Sequence, residues 1–243
     1  MRLVADLHTH SIASGHAYST INEIAEAAAR KELAMVAITD HGPAMPGAPH
    51  AYYFGNLHVL PEVICDVEVL KGVEANIIDF EGNIDLPVEY LKKLDIVLAG
   101  LHAVCYPGGT KEQNTRAVIK AMENPQVDII VHPGNPAYPI DEYQIVKAAI
   151  ENNTVLEINN SSLTVSRMGS CENCLQIARV AKEKGARIVI GSDAHISCDV
   201  GNLSTSLEMV MKVGFTEEEI LNTSVESIKE YLRGKGRKRF TAH

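Results

Sequence analysis

The sequence predicts a single α/β barrel of parallel strands, with a doubly wound open sheet as the alternative. Three observations point there. Short runs rich in Val and Ile, apolar without alternation, recur from end to end, as strands covered on both faces do. Stretches of helical period separate them, and no linker rich in Pro, Gly or Ser divides the chain. Its 243 residues also suit an α/β barrel, which commonly forms one domain of roughly 250 residues.

The strand candidates are Leu3–Leu7, Met35–Thr39, Val67–Val73, Ile96–Leu101, Ile129–Val131, Val155–Ile158 and Ile188–Gly191. After the first, Thr20-Ile21-Asn22-Glu23 reads as a capping box opening a helix through Lys31. Further helices are expected over Lys111–Glu123, Tyr143–Asn152, Cys171–Lys184, Leu203–Val213, Glu217–Leu221 and Val225–Leu232. Two longer loops, Gly42–Gly55 and Asn159–Ser170, have the length at which loops are often functional. The barrel is expected over residues 1–232. The basic run from Arg233 to Arg239 suggests that 233–243 form a solvated, mobile tail.

Composition narrows the function classes. The chain is 46% hydrophobic and 22% charged, as soluble globular proteins are. No apolar run approaches the roughly 18 residues of a membrane helix, and the N-terminus does not read as a signal peptide. A formal net charge of −9 disfavours nucleic acid as a partner. Five cysteines with no regular framework suit a reducing cytoplasm. Barrel enzymes commonly associate, so a homo-oligomer is possible.

The polar residues carry the chemistry. His8 and His10 close the first strand, two residues apart and so on one side of an extended chain. His41 follows the second strand, Glu74 the third, His102 the fourth, His132 the fifth, Asn159 the sixth and Asp193 the seventh. In a parallel barrel all these strand ends share one rim, where active sites are built. His16, in the first loop, and His195, just past the seventh strand, would overhang it. Seven imidazoles and two carboxylates make nine potential ligands. That exceeds what a single zinc takes, about four, and suits three ions with a bridging carboxylate and an open position on each.

His8-Thr9-His10, Thr39-Asp40-His41, Glu74, His102, His132 and Asp193-Ala194-His195 together resemble the successive motifs of the PHP (polymerase and histidinol phosphatase) family. The likeness runs to about residue 232 and is nearest the stand-alone, YcdX-like phosphatases that lack a polymerase domain. It implies a distorted, TIM-barrel-like (β/α)7 barrel with its active site at the C-terminal strand ends. It also implies a division of ligands: His8, His10, Glu74 and Asp193 on one ion; Glu74, His102 and His132 on a second; His16, His41 and His195 on a third. Spacing alone supports only the pairing of His8 with His10.

Such a site suits hydrolysis of a small phosphorylated substrate, a phosphate monoester, by hydroxide generated on divalent metal ions. Zinc heads the candidates, with manganese or iron also served by this donor set. Glu74 and Asp193 are the catalytic carboxylates on this reading. Asp40 is expected to accept a hydrogen bond from a liganding imidazole. Arg167 and Asn159 are candidate substrate contacts. A phosphodiesterase or nuclease of the same fold would need a basic groove. An amidohydrolase also begins with His-x-His but needs two metals, and a metal store would favour closed, thiolate-rich shells. Cys171-Glu172-Asn173-Cys174 has no second Cys-x-x-Cys to complete a structural zinc site and reads as inert thiols. His50 and His58, in or near the loop after the second strand, could touch substrate but read rather as surface positions.

Overall fold

The computed structural model describes residues 1–241. Among these residues eight strands form one sheet: β1 (Ala5–Thr9), β2 (Met35–Ile38), β3 (Val63–Ile64), β4 (Val67–Asn76), β5 (Ile96–Gly100), β6 (Ile129–Ile130), β7 (Val155–Asn159) and β8 (Ile188–Gly191). The path β1-β2-β4-β5-β6-β7-β8 is parallel throughout, and β3 adds a short antiparallel hairpin on β4. The seven parallel strands are those the apolar runs predict. The two-residue β3 carries too little pattern to be read from sequence.

Helices cover the outside: α1 (Ile21–Arg30), α2 (Ala51–Asn56), α3 (Val88–Leu91), α4 (Lys111–Met122), α5 (Glu142–Glu151), α6 (Ser161–Thr164), α7 (Ser170–Lys184), α8 (Ser204–Val213) and α9 (Val225–Gly234). The capping box at the start of α1 forms as expected, between Thr20 and Glu23. The stretch expected as a helix over 217–221 is instead two 3-10 turns, Glu217–Glu219 and Leu221–Thr223. The long loops after β2 and β7 contain α2 and α6. No helix among the described residues is long and apolar enough to cross a membrane.

The barrel is closed differently along its seam. Near the C-terminal ends, Thr9 bridges Ala194, His10 N–H donates to the Ala194 carbonyl at 2.9 Å and Asp193 N–H to that of His8 at 3.0 Å. Lower down, a buried side chain replaces the ladder. The Asn222 amide donates to the carbonyls of Ala5 and Ile190, each at 2.8 Å, and accepts from Ile190 N–H at 3.2 Å. Backbone groups that would otherwise be buried and unpaired are thereby satisfied.

Alternation inside the barrel sorts its layers. Ala5, Leu7, Met35, Ala37, Leu70, Ile96, Leu98, Ile129, Val155 and Val189 pack together in the interior, with α9 and Phe240 below. Continuing the same faces by two residues reaches Thr39 and His41, Gly72 and Glu74, Gly100 and His102, Glu157, and Gly191 and Asp193. Apolar packing therefore fills the N-terminal half, and ionisable groups crowd the other.

The C-terminal residues are not the mobile tail that their charge run suggests. Arg237 is 3% exposed, its guanidinium paired with buried Asp128 and bonded to the carbonyls of Leu91 and Gln126. Arg239 pairs with Glu68 and Asp95, and Phe240 packs in the interior cluster. Residues 235–240 thus plug the N-terminal end of the barrel, because Arg237 and Arg239 find carboxylates beneath strand starts. Ala242 and His243 lie outside the described residues.

Candidate metal centre

Glu74 is the hub. It sits on β4, fully buried, and its two oxygens face different sets of imidazoles. Oε1 lies 3.1 Å from His102 Nε2 and 2.7 Å from His132 Nε2. Oε2 lies 3.5 Å from His8 Nε2, 3.4 Å from His10 Nε2 and 2.8 Å from His41 Nδ1. Across from it, Asp193 Oδ1 lies 3.6 Å from His8 Nε2 and 3.3 Å from His10 Nε2. A bulge in β1 between Asp6 and Thr9 re-aims the strand end, so that His8 and His10 both turn into the mouth.

The remaining predicted ligands gather beside this hub. The His10 ring stacks on that of His195 at 4.3 Å and lies 4.4 Å from that of His41. His16, exposed at the rim, has its ring 4.9 Å from His41 and 5.0 Å from His195. Ligand atoms converge most tightly as His8, His10 and Asp193; as His41, Glu74 and His102; and as His10, His41 and His195. All nine predicted residues therefore share one site, though His10 and His41 each stand between two of the expected groups.

Several polar atoms here are buried without a hydrogen-bond partner: Nε2 of His8 and of His10, Nδ1 of His41, and Oε2 of Glu74. Burying such groups unpaired is costly. Lone pairs converging from imidazoles and carboxylates in this way are what a bound cation satisfies, so the residues present fit divalent metal.

Electrostatics agrees. Burial would raise the Glu74 carboxyl, but His102, His41 and His8 overcome it and hold the group well below the usual carboxylate range. Asp193 is likewise held low against burial, by Arg167 and the imidazoles of His8 and His10. Burial, with the neighbouring His41, keeps His10 well below the usual imidazole range. Burial and Arg167 bring His132 down to about 4. These imidazoles are neutral at working pH, the form that ligates. His8 is opposite: burial opposes charge there, yet Glu157, Asp193 and Glu74 push it well above its ordinary value. Three carboxylates around one imidazole favour positive charge at this point, which is the charge a bound cation would bring.

Sequence reasoning missed Glu157. It lies inside β7, 1% exposed, with Oε1 accepting from His8 Nδ1 at 2.8 Å and Oε2 from His132 N–H at 2.9 Å. Gly191 leaves the space for it, since a Cβ there would run into the Glu157 carboxylate. The available signal was a lone charge within the apolar run Val155–Ile158, on the inward-facing register. Ser14 was also missed. Its hydroxyl donates to Asp40 Oδ1 at 2.6 Å, accepts from His41 N–H at 3.2 Å, and contacts His10 Nδ1 at 3.1 Å. With its own proton committed to Asp40, Ser14 can only accept from His10. Nδ1–H of His10 is thereby fixed and Nε2 faces Glu74 and Asp193 as a lone pair.

Two other expectations are corrected. Among the described residues Asp40 bonds no imidazole; it accepts from Ser11, Ser14 and Tyr53, and reaches His10 through Ser14. Asn159 is buried with both ends of its amide engaged: Nδ2 with Glu157 and Asp193, Oδ1 with Ser162. It braces carboxylates and has nothing left for a substrate. Arg167 does reach the site, donating from Nη1 to Asp193 Oδ2 at 2.8 Å. His132, Arg167 and Asp193 all hold positive φ, at 37°, 48° and 57°, a conformation that costs non-glycine residues roughly 1–2 kcal/mol and clusters at functional sites.

Residues 6–132 match the PHP domain family and residues 172–224 match the PHP-associated family. The chain belongs to the PHP family. A protein of Thermoanaerobacter sp. (strain X514), named "Probable phosphatase", is 58% identical over 98% of both chains. One of Acetivibrio thermocellus, also named "Probable phosphatase", is 52% identical over 97% of both. Among solved structures, the histidinol phosphate phosphatase of Lactococcus lactis, crystallised with zinc, L-histidinol and phosphate, superposes with a TM-score of 0.57. That match covers 87% of this chain and 94% of the other at 14% identity, and so speaks for the PHP fold alone.

The other singled-out residues stand apart from the centre. His50 caps α2 through Nδ1, and His58 bonds the Gly55 carbonyl at 2.9 Å; both are exposed, as expected. Cys171 is exposed, and burial pushes the Cys174 thiol up to about 12. Cys174 is therefore no thiolate at neutral pH.

Proposed function

We propose that this chain is a metal-dependent phosphatase of small phosphate monoesters, holding three divalent ions per chain. The observation that carries the reading is the set of unpartnered buried donor atoms converging on Glu74. His8, His10, Glu74 Oε2 and Asp193 would hold one ion, and Glu74 Oε1 with His102 and His132 a second. His41 and His195, with His16 at the rim, would hold a third. The donor set, imidazoles and carboxylates without a thiolate among them, suits zinc, manganese or iron. Bound there, such ions supply activated water at neutral pH and positive charge against phosphate oxygens.

The chain's own groups do the positioning. Glu157 keeps Nδ1–H of His8 toward itself and Nε2 toward the centre. Ser14 does the same for His10. Arg167 spends only Nη1 on Asp193, Ser162 and Ser166. Its Nε and Nη2 hold no hydrogen bond to a described residue and are available for the fork-like pairing that guanidinium makes with phosphate. Asp193 thus serves twice, as ligand and as the anchor of the phosphate-binding arginine.

The test is turnover of an aryl phosphate monoester and its diester by protein loaded with zinc or manganese. Monoester hydrolysis well above diester hydrolysis is expected. Full metal loading without monoester turnover would overturn the reading, and a preference for the diester would move it to a phosphodiesterase.

A further inference from the structure

A cavity of about 190 Å³ adjoins the metal centre. It shares Asp193 and His195 with that centre and is otherwise formed by α6, the turn preceding it and the segment between β8 and α8. Because it opens at the carboxylate that anchors Arg167, it lies where the alcohol part of a bound phosphate ester would extend.

Its chemistry is specific. Asp199 and Asn202 line its open, exposed side, and neither side chain forms a hydrogen bond or ion pair to another described residue. Asn160 lines it too; its Oδ1 is tied to Ser206 N–H at 2.9 Å, which leaves Nδ2 unengaged. Free acceptors (the Asp199 carboxylate and Asn202 Oδ1) therefore stand beside free donors (the two amide nitrogens). Among the described residues, no lysine, arginine or aromatic ring other than His195 lines the cavity.

Each class of leaving group meets this lining differently. An anionic one would face Asp199 with no cation to receive it. A nucleoside would find no flat apolar face to stack on. An ammonium would satisfy the acceptors but leave the amide donors unmatched. Adjacent hydroxyls both donate and accept, and match the whole set. A cavity of about 190 Å³ holds several water-sized groups, which suits a small alcohol.

We infer that the substrates of this site are phosphate monoesters of small polyols, with Asp199, Asn202 and Asn160 binding the hydroxyls of the leaving alcohol. The inference rests on the phosphatase reading above and adds the substrate class to it.

The test uses the full chain loaded with zinc or manganese and three substrates: glycerol phosphate, phosphoethanolamine and p-nitrophenyl phosphate. Glycerol phosphate should give a higher kcat/KM than phosphoethanolamine. In Asp199→Ala and in Asn202→Ala, the ratio of kcat/KM for glycerol phosphate to that for p-nitrophenyl phosphate should fall about threefold to tenfold, as loss of one hydrogen bond to a hydroxyl does. Calorimetric binding of glycerol to the phosphate-saturated protein reads the same pocket without turnover and should weaken in both variants. Hydrolysis of p-nitrophenyl phosphate with that ratio unmoved in both variants would overturn the substrate class alone. So would a preference for phosphoethanolamine that Asp199→Ala abolishes, which would mark a cation pocket instead. No hydrolysis of any of the three by metal-loaded protein would overturn the phosphatase reading together with this one.

Discussion

Glu157→Gln changes one atom's hydrogen-bonding sense in a group that touches no solvent. In the native chain Oε2 accepts from two fixed donors, His132 N–H at 2.9 Å and Asn159 Nδ2 at 3.1 Å, while Oε1 faces His8 Nδ1 at 2.8 Å. A glutamine must keep its oxygen on the side with two donors. Its NH2 then faces His8, whose Nδ1 has to accept and whose proton moves to Nε2. That is the atom 3.5 Å from Glu74 Oε2 and 3.6 Å from Asp193 Oδ1, so the imidazole presents N–H where the centre needs a lone pair. Removing a group that orients a ligand in this way typically costs 10–100-fold in metal affinity, or about 1.4–2.7 kcal/mol. Zinc titration of chelator-stripped protein by calorimetry measures the loss, and long-range nitrogen–proton NMR of His8 reads the tautomer. Native affinity in the variant, or Nδ1–H retained on His8, would refute the reasoning.

Two further perturbations probe other parts of the structure. Ser14→Ala should loosen the His10 tautomer and lower zinc affinity about tenfold, with no change in secondary structure by circular dichroism. Arg237→Met leaves Asp128 buried without its counter-charge and should cost about 3–5 kcal/mol in urea unfolding, with kcat retained because the pair lies at the opposite end of the barrel. Burial, only partly offset by Arg237, already raises the Asp128 carboxyl, and the variant raises it further. A raised carboxyl favours folding below its unfolded value and loses that benefit as pH rises through the folded one. The deficit of the variant relative to the native chain should therefore be largest at neutral pH and shrink under acid conditions.

Much of the barrel was legible because strands covered on both faces leave uninterrupted apolar runs, and the residue after each run marks the mouth. That rule found Glu74, His102 and Asp193, and the alternation inside the barrel explains why it works. It failed where chemistry lay within a run, as with Glu157. Asp40 was misjudged because adjacent residues on an extended chain face opposite sides, so it turns away from the centre that His41 enters. Asn159 shares the inward face, but its amide is consumed by Glu157, Asp193 and Ser162. The C-terminal cations looked solvated because their partners, Asp128, Glu68 and Asp95, are more than a hundred residues away in sequence. No local pattern announces such pairs.

The central claim is a three-ion centre bridged by Glu74, and metal stoichiometry tests it most directly. Elemental analysis of the native chain should give three divalent ions per chain. The same measurement on Glu74→Gln should give fewer, with monoester turnover lower by orders of magnitude. A native chain that holds at most one ion, or a Glu74→Gln variant with full occupancy and undiminished turnover, would contradict the account.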